Sequence, residues 1–344
     1  MATNYEMGVR WFKMILGVLV VSILLSQYSC VYGEAPQVPC FFIFGDSLVD
    51  SGNNNYLPTL AKVNYLPYGV DFPIGATGRF CNGRTSVDIL AELLGFKKPI
   101  PPFATTWGLV ILRGLNYASG AAGIRAESGT EMGVNVNLDQ QLRNHHVTVL
   151  RIASILRHKA LALKYLNKCF YFMGIGNNDY INNYFQTQYF NTSRIYTLEQ
   201  YASVLIEQYS QQIMTLYRYG ARKVALVGVA PIGNATEPFN EKLRALVDKL
   251  NADLQDAQFI YVNASSVSRP ADFKVPNISC CAVNELGLCN PFQPVCQNRS
   301  DYALWDSFHP TEAANIASAG RAYRSQDPSD TYPMDISHLV QLSL

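Results

Sequence analysis

The sequence has no excess of either charge: 27 Lys and Arg stand against 26 Asp and Glu, and charged residues make up only 15% of the 344 positions. With no basic run able to neutralise a row of phosphates, nucleic acid is not expected as a partner. Internal repeats and low-complexity tracts are absent, which excludes a solenoid, and no Pro/Gly/Ser-rich linker divides the chain. Residues 34–344 are therefore expected to fold as a single domain. The apolar run near the start, Met14 to Leu25, has 12 residues, where crossing a bilayer takes about 20. Preceded by Arg10 and Lys13 and followed by small and polar residues up to Gly33, it has the layout of a signal peptide over residues 1–33; the alternatives are a buried strand or an uncleaved anchor. Cleavage there implies a secreted protein, extracellular or in a cell wall, with no transmembrane anchor. Also missing is Gly-x-Ser-x-Gly, the nucleophile elbow of one large esterase class, so any serine esterase chemistry must use a different turn.

What is present begins with a 49% hydrophobic composition, enough for a large core. Eight cysteines occur, seven of them after the leader. Cys280, Cys281, Cys289 and Cys296 crowd into a segment broken by Gly287, Pro291 and Pro294, which reads as a disulfide-pinned loop in an oxidising compartment. No Cys-x-x-Cys pair and no histidine lies in that cluster, so zinc is not expected, and nothing else calls for a metal or cofactor. Adjacent Cys280 and Cys281 are not expected to pair with each other, and the odd total leaves a free thiol. Cys40 and Cys169, each within an apolar run, read as packed core residues. Five Asn-x-Ser/Thr sequons, at Asn191, Asn234, Asn263, Asn277 and Asn298, are open to glycosylation on export, with Asn263 at the end of an expected strand and sterically disfavoured.

Continuous runs rich in β-branched and aromatic residues at Val38 to Phe44, Leu115 to Ala118, Cys169 to Gly174, Val224 to Val229 and Phe259 to Val262 predict strands covered on both faces. Helical stretches alternate with them at Ser86 to Leu94, Leu138 to His158, Leu198 to Tyr219, Glu241 to Asp253 and Thr311 to Tyr323, the last with Pro310 at its start. Such alternation implies crossover units and a parallel sheet with helices on both sides, which takes its ligands beyond the carboxyl ends of the strands.

Three of those ends carry polar groups suited to hydrolysis. The first strand runs into Gly45-Asp46-Ser47, placing a hydroxyl where a nucleophile belongs, although a helix-capping serine sits equally well there. Near the C-terminus Asp306 precedes His309 by three residues, so one short loop offers a base and the carboxylate that orients it; an aspartate capping the next helix is the structural alternative. His145, His146, His158 and His338 have no comparable setting. The third strand ends in Gly176-Asn177-Asn178-Asp179, whose amides are oxyanion donors or ordinary turn residues, and the second in Ser119-Gly120-Ala121-Ala122-Gly123, where small residues allow close backbone approach or tight packing.

Together the segments Phe44 to Asn55 (FGDSLVDSGNNN), Asn116 to Ile124 (NYASGAAGI), Gly176 to Tyr180 (GNNDY) and Trp305 to Pro310 (WDSFHP) resemble the plant GDSL esterase/lipase family of the SGNH hydrolases. The resemblance implies a flavodoxin-like three-layer α/β/α sandwich on a mainly parallel five-stranded sheet. It also implies Ser47 as nucleophile, His309 as base, Asp306 as its partner, and an oxyanion hole from the Ser47 amide, the Gly120 amide and the Asn178 side chain. The activity implied is hydrolysis of carboxylic esters, acyl lipids among them, through an acyl-enzyme; acyl transfer to an alcohol uses the same residues, and a catalytically weak acyl-binding or cell-wall protein is the remaining alternative. The chain departs from the family pattern after Gly233, where Asn234 replaces a cysteine and a longer loop, and between Asn263 and Cys280, which is shortened; Cys81 replaces a small polar residue. The first two departures bear on pocket shape. Acyl-chain length, disulfide connectivity and oligomeric state are not legible from these residues.

Overall fold

Apolar runs that bury both faces form a parallel sheet at the centre of the computed structural model, which describes residues 35–344; the leader expected over 1–33 lies outside the described residues. Strands β1 (Phe41–Gly45), β2 (Phe170–Gly174), β3 (Lys223–Val227) and β4 (Gln258–Val262) lie side by side in chain order, all parallel. The fifth position is taken by β7 (Thr331–Tyr332), antiparallel to β4, while β5 (Val275–Ser279) and β6 (Tyr302–Leu304) form a separate parallel pair. Gln37–Leu344 is one compact unit.

Alternate strand residues feed two separate cores. Phe42, Phe44, Tyr171, Met173, Val224 and Leu226 pack beneath helices α2 (Leu138–Ile155), α3 (Lys159–Leu166), α4 (Leu198–Arg218) and α5 (Glu237–Asp253). On the other face Phe41, Ile43, Phe170, Phe172 and Ala225 meet α1 (Ser86–Leu93), α6 (Glu312–Tyr323) and α7 (Ile336–Gln341). A smaller cluster of Val63, Tyr68, Phe80, Leu288, Trp305 and buried cysteines lies apart from both. No helix of the described residues is long and apolar enough to cross a membrane.

Four expectations are corrected. Leu115 to Ala118 is not a ladder strand: it lies extended along the free edge of β1, with Tyr117 N donating to Ile43 O at 2.8 Å. The same segment accepts from Ile43 N at Leu115 O, 3.0 Å, and donates from Ser119 N to Gly45 O at 3.2 Å, while the Asn116 side chain fastens it by accepting from Ala118 N at 2.9 Å and donating to Val49 O at 2.6 Å. Cys40 and Cys169 are bonded to each other, Cα to Cα 4.8 Å, because the β1–β2 register sets them opposite; among the described residues Cys280–Cys296 and Cys281–Cys289 are the other pairs and the free thiol is the buried Cys81. The helix expected from Glu241 starts at Glu237, where Pro238 suits the first turn. Pro310 lies outside its helix, whose N-cap is Thr311, accepting from Ala314 N at 3.2 Å.

Candidate active site

Gly45 ends β1, and the chain then turns sharply: Val49 N and Asp50 N both donate to Asp46 O, at 3.2 and 3.0 Å. This puts Ser47 at the tip, half-buried, at the carboxyl edge of the sheet. Gln141 on α2 clamps the strand end, accepting from Gly45 N at 3.0 Å and donating to Gly45 O at 2.8 Å. Far along the chain, β6 runs directly into Trp305 and Asp306. Asp306 caps its own loop, its Oδ1 accepting from Phe308 N at 2.9 Å and His309 N at 2.8 Å.

The two segments meet. His309 Nε2 stands 2.8 Å from Ser47 Oγ, and His309 Nδ1 stands 2.8 Å from each oxygen of Asp306, which has no solvent exposure. A carboxylate beside Nδ1 keeps the proton on that nitrogen and leaves Nε2 to accept from the serine. Phe80 lies against the imidazole, ring centres 4.8 Å apart.

Asn178 also faces this point. Its Nδ2 donates to Ala122 O at 2.9 Å and its Oδ1 accepts from Asn182 at 2.7 Å, which fixes the amide and leaves its second hydrogen for a ligand. Gly176 before it has φ +128°, a conformation that strains other residues, and a Cβ there would stand 2.7 Å from Val229. Gly120 is placed differently: its amide donates to Asp50 Oδ2 at 3.3 Å, and Ala121, at φ +64°, is the residue of that loop on the cavity wall. Any Cβ at Gly120 would meet Asn54 and Phe80 at 2.8 Å. The buried Asp179 ties the two loops together, accepting from Ile124 N, Arg125 N and Ser128 Oγ at 2.8, 3.0 and 2.7 Å.

Burial pushes the carboxyls of Asp46, Asp50 and Asp179 up to about 6, against the hydrogen bonds each accepts. Asn177 serves Asp46, donating to Oδ2 at 3.2 Å while accepting from Ala230 N at 3.0 Å.

Ser47, Asn178 and His309 open on one cavity of about 1060 Å³, walled on its apolar side by Leu60, Ile181, Phe185, Ile232 and Phe308. A second hollow of about 450 Å³, lined by Arg125, Asp139, Gln208 and Gln212 among others, contains none of these residues. The short loop after Gly233 is closed by Asn240, which accepts from Val229 N at 2.8 Å and donates to Val229 O at 2.9 Å, so Pro231 and Ile232 reach the cavity wall. After Asn263 the shortened segment forms a short helix, Ala264–Ser268, and a 3-10 turn, Pro270–Asp272, and passes into β5. Asn263 caps that turn, accepting from Ser265 N and Ser266 N, whereas Asn191, Asn234, Asn277 and Asn298 are exposed.

Sequence reasoning missed three residues around the site: Gln141, Phe80 and Tyr68, whose hydroxyl donates to Asp306 Oδ2 at 2.6 Å. Tyr68 lies 238 positions from Asp306 among 21 tyrosines, so no local signal marks it.

The model of the GDSL-like Lipase/Acylhydrolase family matches residues 41–321. One GDSL esterase/lipase of Arabidopsis thaliana is 46% identical, over 94% of this chain and 98% of its own length. A second from the same plant is 47% identical, over 94% and 97%, and a third 42% identical, over 96% and 99%.

Proposed function

We propose, from the premise that this chain belongs to the GDSL-like lipase/acylhydrolase family and is a carboxylic ester hydrolase, that it works through a Ser47–His309–Asp306 triad and an acyl-enzyme. The observation that carries this reading is the unbroken series of 2.8 Å contacts from Ser47, on the cavity wall, through His309 to the buried Asp306. His309 Nε2 takes the serine proton as Oγ attacks the ester carbonyl. The oxyanion is held by the Asn178 amide with the backbone amides of Ser47 and Gly120. For Gly120 this means releasing a bond to Asp50 that is long at 3.3 Å. The tetrahedral intermediate collapses by breaking the bond to the alkoxy oxygen, which receives the proton from His309 and departs as the alcohol. Water then repeats the sequence: His309 removes its proton, hydroxide attacks the acyl carbon, and the proton returns to Ser47 Oγ as the carboxylic acid leaves.

Apolar walls support acyl lipids and related esters as substrates. Export to an extracellular space or cell wall is supported by the leader-like start, by three disulfides and by four exposed sequons. Ser47→Ala is expected to lose turnover of short aryl esters by roughly 10⁴- to 10⁶-fold, and with it stoichiometric labelling by an organophosphonate. Turnover unchanged in that variant sinks the mechanism.

A further inference from the structure

Taking Ser47, His309 and Asp306 as the catalytic set, we infer that Tyr68 is a positioning residue for it: the phenol holds Asp306 in place and shares the charge of the carboxylate that orients His309. Tyr68 is fully buried, and its hydroxyl bridges two partners, Asp306 Oδ2 at 2.6 Å and the Cys289 amide at 2.9 Å. The chemistry fixes the direction of both bonds. A backbone amide only donates, so the phenol oxygen accepts from Cys289, and its single proton goes to the carboxylate. Asp306 is thereby held at both oxygens, Oδ1 by the amides of Phe308 and His309 and Oδ2 by Tyr68, with His309 Nδ1 equidistant between them. Burial and the neighbouring Asp306 push the Tyr68 phenol well above its ordinary value, so it remains a donor at any working pH.

The phenol ring is itself fixed. Tyr65, Phe80 and Trp305 surround it edge-on at 5.5, 6.3 and 6.4 Å. The Cys289 amide that orients the hydroxyl closes a loop pinned by Cys281–Cys289, and the same loop gives Leu286, Gly287 and Leu288 to the cavity wall. Substrate wall and triad carboxylate thus share one anchor.

A hydrogen bond that stabilises a carboxylate weakens its hold on the imidazolium. Removing it moves the acid limb of kcat/KM to higher pH. The other titratable groups facing this point are Asp46, which lies near His309, and Tyr65, which donates to Cys289 O at 3.1 Å; neither is altered by a change at residue 68.

Tyr68→Phe removes one oxygen and keeps the ring. On a short aryl ester, kcat is expected to fall roughly 10- to 100-fold with KM nearly unchanged, the size of one charge-assisted hydrogen bond, and the acid limb to move up. In an Asp306→Asn background, read as the rate of organophosphonate labelling at Ser47, the same substitution should cost nothing further. Placing 3-fluorotyrosine at position 68 strengthens the donor, preserves packing, and should move the acid limb down, which keeps the test intact if Tyr68→Phe folds poorly. An unmoved acid limb with 3-fluorotyrosine, or a loss from Tyr68→Phe that persists undiminished beside Asp306→Asn, overturns the positioning role. The two readings separate cleanly: Ser47→Ala inactive with Tyr68→Phe matching the wild type removes only the role of Tyr68, whereas Ser47→Ala active removes the triad as well.

Discussion

Cys40 and Cys169 stand immediately before β1 and β2, fully buried, at the opposite end of the sheet from Ser47. Each strand has five residues, so at about 3.3 Å per residue the disulfide lies about 16 Å from the turn that carries Ser47. The bond spans 129 positions of sequence, the others 16 and 8. Loop-closure entropy grows with the logarithm of that span, giving stabilisation of about 5 kcal/mol for Cys40–Cys169 and about 3 and 2.5 kcal/mol for the shorter pairs. Because a whole domain is stable by only about 5–15 kcal/mol, the Cys40→Ala/Cys169→Ala protein should unfold at much lower urea, with a melting point down by on the order of 10 °C. At 25 °C its kcat should equal that of the wild type, since no group within reach of the substrate has changed. Cys281→Ala/Cys289→Ala should do the reverse, losing less stability and more activity, because its loop walls the cavity and holds the amide that meets Tyr68. Urea titrations followed by tryptophan fluorescence, with aryl-ester kinetics on the folded variants, measure both quantities. Equal stability losses in the two double variants, or a fall in kcat confined to the Cys40/Cys169 pair, would refute the reasoning.

Asn178→Ala should lower kcat by roughly 10²- to 10³-fold with little change in KM, as expected for a donor used mainly in the transition state; a purely KM effect would mean that the amide binds ground-state substrate. For Asp179 the folded carboxyl is raised by burial from 3.8 to about 6, so between those values the folded protein holds the extra proton. Its stabilisation is present below pH 4 and lost as pH rises through 6, on the order of 3 kcal/mol for about two units. Asp179→Asn should therefore gain stability relative to the wild type by that amount between pH 4 and 7 in urea titrations, and a difference that does not vary with pH contradicts it.

The sheet and the catalytic candidates were legible for the same reason. Phe41 to Phe44 is an apolar run that only a strand buried on both faces explains, and a parallel sheet sends whatever follows such a run to its functional edge. That logic reaches Ser47 and Asn178 directly, and Asp306 with His309 through their spacing. It fails where position depends on contacts across the fold. Thr331–Tyr332 is too short to show a period, and its antiparallel pairing with β4 joins residues about 70 positions apart. Cys40 and Cys169 sit in apolar surroundings that signal burial, while their juxtaposition is set by the β1–β2 register. Gly120 lies in a readable small-residue loop, yet the direction of its amide depends on Asp50, 70 positions away.

The two halves of the site are held by different cores. Ser47 and Asn178 hang from β1 and β2, buried between two large layers, whereas Asp306 and His309 follow β6, which pairs with β5 outside the main sheet. Around Trp305 the small third cluster contains Val63, Tyr68, Phe80, Leu288 and three cysteines of the two short disulfides. A cluster of that size supplies little stability alone and depends on such staples. Besides the Tyr68 bonds, its ties to the 65–71 segment are the Tyr65 hydroxyl donating to Cys289 O at 3.1 Å, Arg299 paired with Asp71 at 2.6 and 2.7 Å, and Phe292 N donating to Leu66 O at 2.8 Å. Local opening of this small cluster is expected to cost less free energy than unfolding the sheet. Asp306 and His309 follow Trp305 of this cluster while Ser47 follows β1, so the 2.8 Å contact between His309 and Ser47 spans the two and is expected to break first in such an opening. Reduction of the short disulfides should thus abolish turnover at denaturant concentrations where the β1–β4 core is still intact.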